Sequence, residues 1–297
     1  MNIRAHVLGA PLATAGVFLG YVSQLEAGEV GPMAAYMPPA PVSDCDACND
    51  PGFYGGVSLL YMKPYSGGEG LDGEWDLGLR GTLGFERPDG LFYELNGFWF
   101  DGEFDREVSP NSIYNYDDDV STWYVEGLIG DNLHCGEACL DLAFGLRYAN
   151  LEFESSRTLR RDITDGGEGS SFSEEFEGVG PVVRIDGTRQ LTEQVTLYGG
   201  LSQAILFGEQ DFSRSSTNRA EVTSPPGPGA IILNGSGSSS RDTLAFVTEI
   251  EAGLQFNFNA GQIQGAHARI GIEGQYWSIG GSDFGLFGGV LGVGFNF

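Results

Sequence analysis

From residue 52 onward, apolar and polar side chains alternate in short runs. In residues 140–148, Leu140, Leu142, Phe144, Leu146 and Tyr148 share one face of an extended segment, and Asp141, Ala143, Gly145 and Arg147 share the other. In residues 246–258, Phe246, Ile250, Ala252, Leu254, Phe256 and Phe258 stand opposite Val247, Glu249, Glu251, Gly253, Gln255 and Asn257. Further on, Ala268, Ile270, Ile272 and Tyr276 oppose His267, Arg269, Glu273 and Gln275; near the start, Trp75, Leu77, Leu79, Leu83 and Phe85 oppose Asp76, Arg80, Thr82 and Glu86. A period of two is that of a strand with one apolar and one polar face. About ten such segments can be cut from residues 52–297. In residues 176–187, glycines blur the phase.

Alternation alone would also fit a soluble sandwich, and two features decide between them. The polar faces mix charges of both signs with small residues, as a wet lumen would. The apolar faces end in aromatics, with Trp75 and Phe85, Tyr93 and Trp99, and Phe256 and Phe258 placed as membrane-interface girdles. The middles of these faces carry no charge, which there would cost about 2–4 kcal/mol. Turns alternate in length: 88–90, 134–138, 191–194 and 260–265 are short, while 64–74, 105–120, 154–172 and 209–243 are long. The link 280–285 is short but falls on the long side. Short periplasmic turns and long outer loops are the barrel asymmetry. The pattern predicts an all-β chain, a transmembrane antiparallel up-and-down β-barrel of about ten strands in an outer membrane, surrounded by lipid and lipopolysaccharide. The closing strand ends on Phe297, an aromatic terminus suited to recognition by barrel-assembly machinery.

The N-terminus fits this location. Arg4, an apolar stretch at 7–22 and Leu25-Glu26-Ala27 predict a secretory signal peptide over 1–27. Residues 28–51, with Pro32, Pro38, Pro39 and Pro41, predict an extended periplasmic leader, and 52–297 the barrel. After the N-terminus no apolar run is long enough for a transmembrane helix. Export places the cysteine pairs Cys45/Cys48 and Cys135/Cys139 in an oxidising compartment, so two local disulfides are the main reading and a metal site the lesser one. The net charge of −26 excludes nucleic acid as a partner.

Candidate chemistry lies on the inward faces. Arg80, Arg147, Arg184 and Arg269 point inward with Glu94, Glu126, Asp141, Asp186, Glu249, Glu251 and Glu273. Acids exceed bases, which predicts a pore passing ions or small hydrophilic solutes with a preference for cations. The same charges also suit a paired network filling the barrel, since about eight strands leave an interior just filled by side chains. The alternative is a structural or adhesive barrel acting through its outer loops. His134 and His267 are the only histidines of the mature chain; His134 sits in a short turn next to Cys135 and His267 at a strand start on the periplasmic side, away from outer-leaflet chemistry, so no enzyme, no cofactor and no metal are expected. Asp117, Asp118 and Asp119 read as a solvated loop tip in preference to a calcium site. Arg157, Arg160 and Arg161 read as balancing nearby acids in preference to holding lipopolysaccharide phosphates. The Pro/Gly/Ser stretch 224–240 reads as a mobile loop.

Several short signatures stand together: Phe53-Tyr54-Gly55-Gly56-Val57 leading to Tyr61-Met62-Lys63-Pro64-Tyr65, Gly145-Leu146-Arg147-Tyr148, Gly178-Val179-Gly180-Pro181, Leu197-Tyr198-Gly199-Gly200, and Gly274-Gln275-Tyr276-Trp277. With them, residues 52–297 resemble the Legionella-type pore-forming major outer-membrane protein family. The resemblance implies a pore-forming role and brings no catalytic residues.

Overall fold

The computed structural model describes residues 51–66, 71–106, 114–134, 138–159, 169–222, 229–260 and 263–296. The segments expected to be signal peptide and leader, residues 1–50, lie outside them, as do Cys45, Cys48, Cys135, Arg160, Arg161 and Phe297.

The described chain is one antiparallel sheet closed on itself. Its strands are β1 (Gly52–Ser66), β2 (Leu71–Gly73), β3 (Asp76–Glu86), β4 (Phe92–Arg106), β5 (Tyr114–His134), β6 (Ala138–Leu159), β7 (Gly169–Gln190), β8 (Val195–Val222), β9 (Gly229–Ala260), β10 (Ile263–Ile279) and β11 (Ser282–Asn296). β1 pairs with both β2 and β3, these both pair with β4, each later strand pairs with the next in the chain, and β11 closes on β1 from Tyr54↔Asn296 to Ser66↔Phe284. β2 and β3 form a single stave against β4. Gly73 pairs with Phe104 and Gly78 with Phe100, so β2–β3 holds one extra residue there. This is a bulge, in which Glu74 N donates to Glu103 O at 2.9 Å and Glu103 N to Asp76 Oδ2 at 3.2 Å. The barrel therefore has ten staves, and closure leaves no sheet edge inside the bilayer.

The alternation read from the sequence is the division between lipid and lumen. Leu77, Leu79 and Leu83, Phe144 and Leu146, Ile250, and Ile270 and Ile272 lie exposed on the outer wall. Aromatic pairs mark both rims of this belt: Phe53 packs on Phe85 at 4.9 Å, Tyr61 on Trp75 at 5.2 Å and Trp123 on Tyr148 at 5.4 Å between centroids. The glycine-blurred stretch falls into phase in β7. Val179, Pro181, Val183 and Ile185 face out and Phe176 and Val182 face in. The described turns at the end bearing Gly52 are tight. Gly90, at φ 86°, donates to Arg87 O, and the Thr192 hydroxyl accepts from Val195 N at 3.0 Å. At the opposite end Gly280 and Gly281, both at positive φ, join β10 directly to β11.

The predicted outer loops differ most from the structure. Much of 105–120, 154–172 and 209–243 is strand, not loop. β8 and β9 pair without a register shift from Val195↔Phe256 to Val222↔Gly229. Beyond Phe207, the last lipid-facing aromatic of β8, fifteen more residues extend about 50 Å along the strand. Ser213, Ser215 and their neighbours are wet on both faces, so no apolar period announces this hairpin. Its backbone groups are satisfied by the ladder, and the hydroxyls of Ser215 and Ser213 on β8 pair with those of Ser171 and Ser173 on β7, each at 2.9 Å.

Candidate functional site

The interior divides into layers along its axis. At the end bearing Gly52, a cavity of about 1970 Å³ opens, lined among others by Tyr54, Asp141, Asp186, Tyr198, His267 and Arg269. Arg269 donates from Nε to Gln255 Oε1 at 2.7 Å and lies 5.2 Å from the Tyr198 ring centre. Cys139, on the same wall, is disulfide-bonded.

Above this vestibule lies a layer of paired charges. Arg80, from β3, reaches across the barrel to β10 and grips Glu273 with both terminal nitrogens, at 2.7 and 2.6 Å. It also lies 3.5 Å from Glu249 and 3.6 Å from Glu251. Arg147 of β6 has no exposed area. It donates to Glu126 Oε2 from Nε at 2.8 Å, to Ser202 Oγ at 3.2 Å, and to Glu249. Its guanidinium stands 3.9 Å from the Tyr124 ring centre. Arg184 of β7 pairs with Glu94 and, at 2.6 Å, with Asp186. Uncharged groups complete the layer: Tyr54 donates to Glu94 at 2.8 Å, Asn96 to Glu94 at 2.7 Å and to Glu126 at 3.2 Å, Tyr124 to Glu249 at 3.0 Å, and Gln275 to Glu273 at 2.9 Å. Buried charges persist only when paired and hydrogen-bonded in this way.

The next layer is apolar. Leu60 and Met62 of β1, Phe100 of β4, Leu206 of β8, Trp277 of β10 and Leu286 of β11 are each 2% exposed or less and belong to one buried cluster. Side chains from all round the wall thus meet and fill the lumen. Farther out, the interior turns polar again. Arg241 donates to Gln210 Oε1 at 2.9 and 2.7 Å, and Gln210 donates through Nε2 to Glu174.

The structure brings Arg80, Arg147, Arg184, Glu94, Glu126, Asp186, Glu249, Glu251 and Glu273 together, and leaves Asp141 and Arg269 in the vestibule. Sequence reading missed Tyr54, Asn96, Tyr124, Ser202 and Gln275. Their inward phase was readable, but an uncharged polar residue on that phase is no signal by itself. Asp117, Asp118 and Asp119 lie on β5, not at a loop tip. Asp118 is buried while its neighbours are exposed, so the three carboxylates do not converge. Asp119, above the membrane belt, has its carboxyl held above the usual aspartate range by partial burial and by Asp117, Glu154, Asp101 and Asp118. Arg157 sits 4.5 Å from the Tyr114 ring centre.

Several solved barrels have a similar fold. The outer membrane protease OmpT from Escherichia coli is 13% identical, with 83% of this chain and 97% of that one covered and a TM-score of 0.49. The translocator domain of the autotransporter NalP from Neisseria meningitidis is 13% identical, covering 86% and 92%, TM-score 0.40. The toluene transporter TbuX from Ralstonia pickettii is 8% identical, covering 84% and 90%, TM-score 0.36. These likenesses extend to the fold alone. The first nonetheless corrects one expectation. An enzymatic role was rejected for a barrel with few histidines, and a barrel of similar fold is a protease, so that rejection does not stand. No catalytic residue transfers at such identity. No curated protein matches the chain. The sequence profile of the Legionella pneumophila major outer membrane protein precursor matches residues 47–279, from just ahead of β1 to the end of β10, and the chain belongs to that outer-membrane family.

Proposed function

We propose that this outer-membrane barrel is a sealed anchor that works at the cell surface through the sheet formed by the outer parts of β5–β9. The observation that carries this reading is the filled interior, where paired charges are capped by the apolar layer of Leu60, Phe100 and Trp277. A passage would require both layers to come apart, and well-packed interiors deform little. Planar-bilayer recording of the folded protein in a salt gradient tests it, with no discrete conductance steps expected. Shortening the β8–β9 hairpin by removing residues 215–240 should abolish a surface-binding phenotype and leave the barrel folded.

A second reading is a cation-preferring pore for ions or small hydrophilic solutes. It is favoured by the excess of carboxylates around Arg80, Arg147 and Arg184 and by the open vestibule. Steady single-channel steps whose reversal potential favours cations would establish that reading and overturn the first.

A further inference from the structure

The wall of the barrel is uneven in height. β9 is hydrogen-bonded along its outer half to β8, up to Val222↔Gly229, but β10 rises beside it only to the pair Ile279↔Ala245. At the step, Arg241 donates to Gly280 O at 3.1 Å. Beyond it, no described strand pairs with the other side of residues 229–240, about 40 Å of extended chain. Along that side every second residue turns its N–H and C=O outward, a template for one more strand.

Proteins commonly blunt such an edge with charge, proline or a bulge. Residues 229–240, Gly-Ala-Ile-Ile-Leu-Asn-Gly-Ser-Gly-Ser-Ser-Ser, carry no charge and no proline, and their register with β8 is unbroken. Residues 233–240 are all exposed and, past Leu233 and Asn234, small. Nothing lies within 4 Å of a Cβ built on Gly237, so the face of the strand is open there as well.

Charge indicates what would pair with it. The outer segments 101–104, 114–120, 150–158, 169–177, 209–217 and 233–243 hold thirteen carboxylates against three guanidiniums. An acidic sheet attracts a basic partner and repels an acidic one. A second copy in the same membrane is a poor occupant. Its sheet is equally acidic, and two-fold related upward strands would run parallel in register, with like backbone groups facing each other.

We propose that the free edge of β9 takes up an extended, basic segment of a partner polypeptide as an added strand. The inference rests on the surface-acting reading above and names its partner class. Main-chain hydrogen bonds would supply the affinity and the acidic sheet the selection.

The test uses the full chain in lipid nanodiscs and three labelled peptides of equal length. One alternates Lys with Thr, one alternates Glu with Thr, and the third is the Lys peptide N-methylated at alternate residues. The Lys peptide should bind, weakening with salt. The Glu peptide should not bind, and N-methylation, which keeps the charge but removes one row of N–H donors, should weaken binding roughly tenfold or more. A Ser238→Cys variant should form a mixed disulfide with a thiol-activated Lys peptide, and free Lys peptide should compete. Equal binding of the N-methylated peptide would overturn the inference, because charge alone would then suffice. Binding of the Glu peptide, or self-association that excludes the Lys peptide, would also overturn it. Conductance is read separately: a conducting barrel that binds the peptide overturns the surface reading alone, and a silent barrel that does not bind overturns this inference alone.

Discussion

Replacing Arg147 by Met probes whether the charged layer is a structural fastening. The side chain has no exposed area and holds two carboxylates, Glu126 on the neighbouring β5 and Glu249 across the lumen on β9. Breaking a buried pair by removing one partner costs about 3–5 kcal/mol, because a charge stays buried without compensation. Here the deserted acids keep other partners. Glu126 retains Asn96 at 3.2 Å and Arg184 at 3.6 Å, and Glu249 retains Tyr124 at 3.0 Å and Arg80 at 3.5 Å. The expected cost is therefore at the lower end, about 3 kcal/mol, or about two orders of magnitude in the folding equilibrium. Reversible urea unfolding in lipid vesicles, followed by tryptophan fluorescence, measures it. Adding Glu126→Gln to Arg147→Met should recover part of the loss, since one of the stranded charges is then gone. A loss under about 1 kcal/mol, or a double variant as unstable as the sum of the two single ones, would refute the fastening.

Two further outcomes are expected. Ile250→Arg places a charge on a lipid-facing position, 61% exposed, near the middle of the β9 belt, and should lower stability in the same unfolding assay by about 2–4 kcal/mol; the same change at Phe258, on the rim, should cost about 0–1. Because the Asp119 carboxyl titrates above its usual range in the folded sheet, its charge opposes folding once pH has risen through that titration, and no penalty exists where the group is protonated in both states. Asp119→Asn should slow limited proteolysis of the outer strands at neutral pH and leave it unchanged at strongly acid pH, and a benefit largest in acid would sink the argument.

The membrane belt was legible in the sequence, and the outer sheet was not, for one reason. Leu79, Leu146 and Ile250 stand out because lipid on one side and lumen on the other impose opposite demands on alternate residues. Residues 233–240 are exposed on both faces, so nothing in Gly-Ser-Gly-Ser-Ser-Ser distinguishes a strand from a loop. The inward phase of Arg80 and Glu273 was likewise readable, but not their meeting. They stand 193 residues apart and are joined by the closure of β11 on β1. The apolar layer was the hardest to read. Where the lumen is filled, a strand is apolar on both faces, so runs such as Leu59-Leu60-Tyr61-Met62 and Phe98-Trp99-Phe100 lose the alternation that marks their neighbours. That lost alternation is itself the sequence signal of a plugged interior.

The two halves of β9 are held by different forces. Below Leu244 the strand is clamped between β8 and β10, and its side chains enter lipid, the packed layers or the vestibule. Above it, burial is replaced by ladder hydrogen bonds and by a few rings and cations, such as Phe172 against Phe212 at 6.4 Å and Arg241 at 5.1 Å from the Phe212 ring centre. Such contacts contribute on the order of 1 kcal/mol each, so the outer sheet opens more readily than the barrel that carries it. An added strand would act where that stability is smallest. It would satisfy the outward donors and acceptors of residues 229–240 and set positive charge against an acidic surface, which makes protection of the outer β8–β9 amides from hydrogen exchange the most direct sign that the edge has been filled.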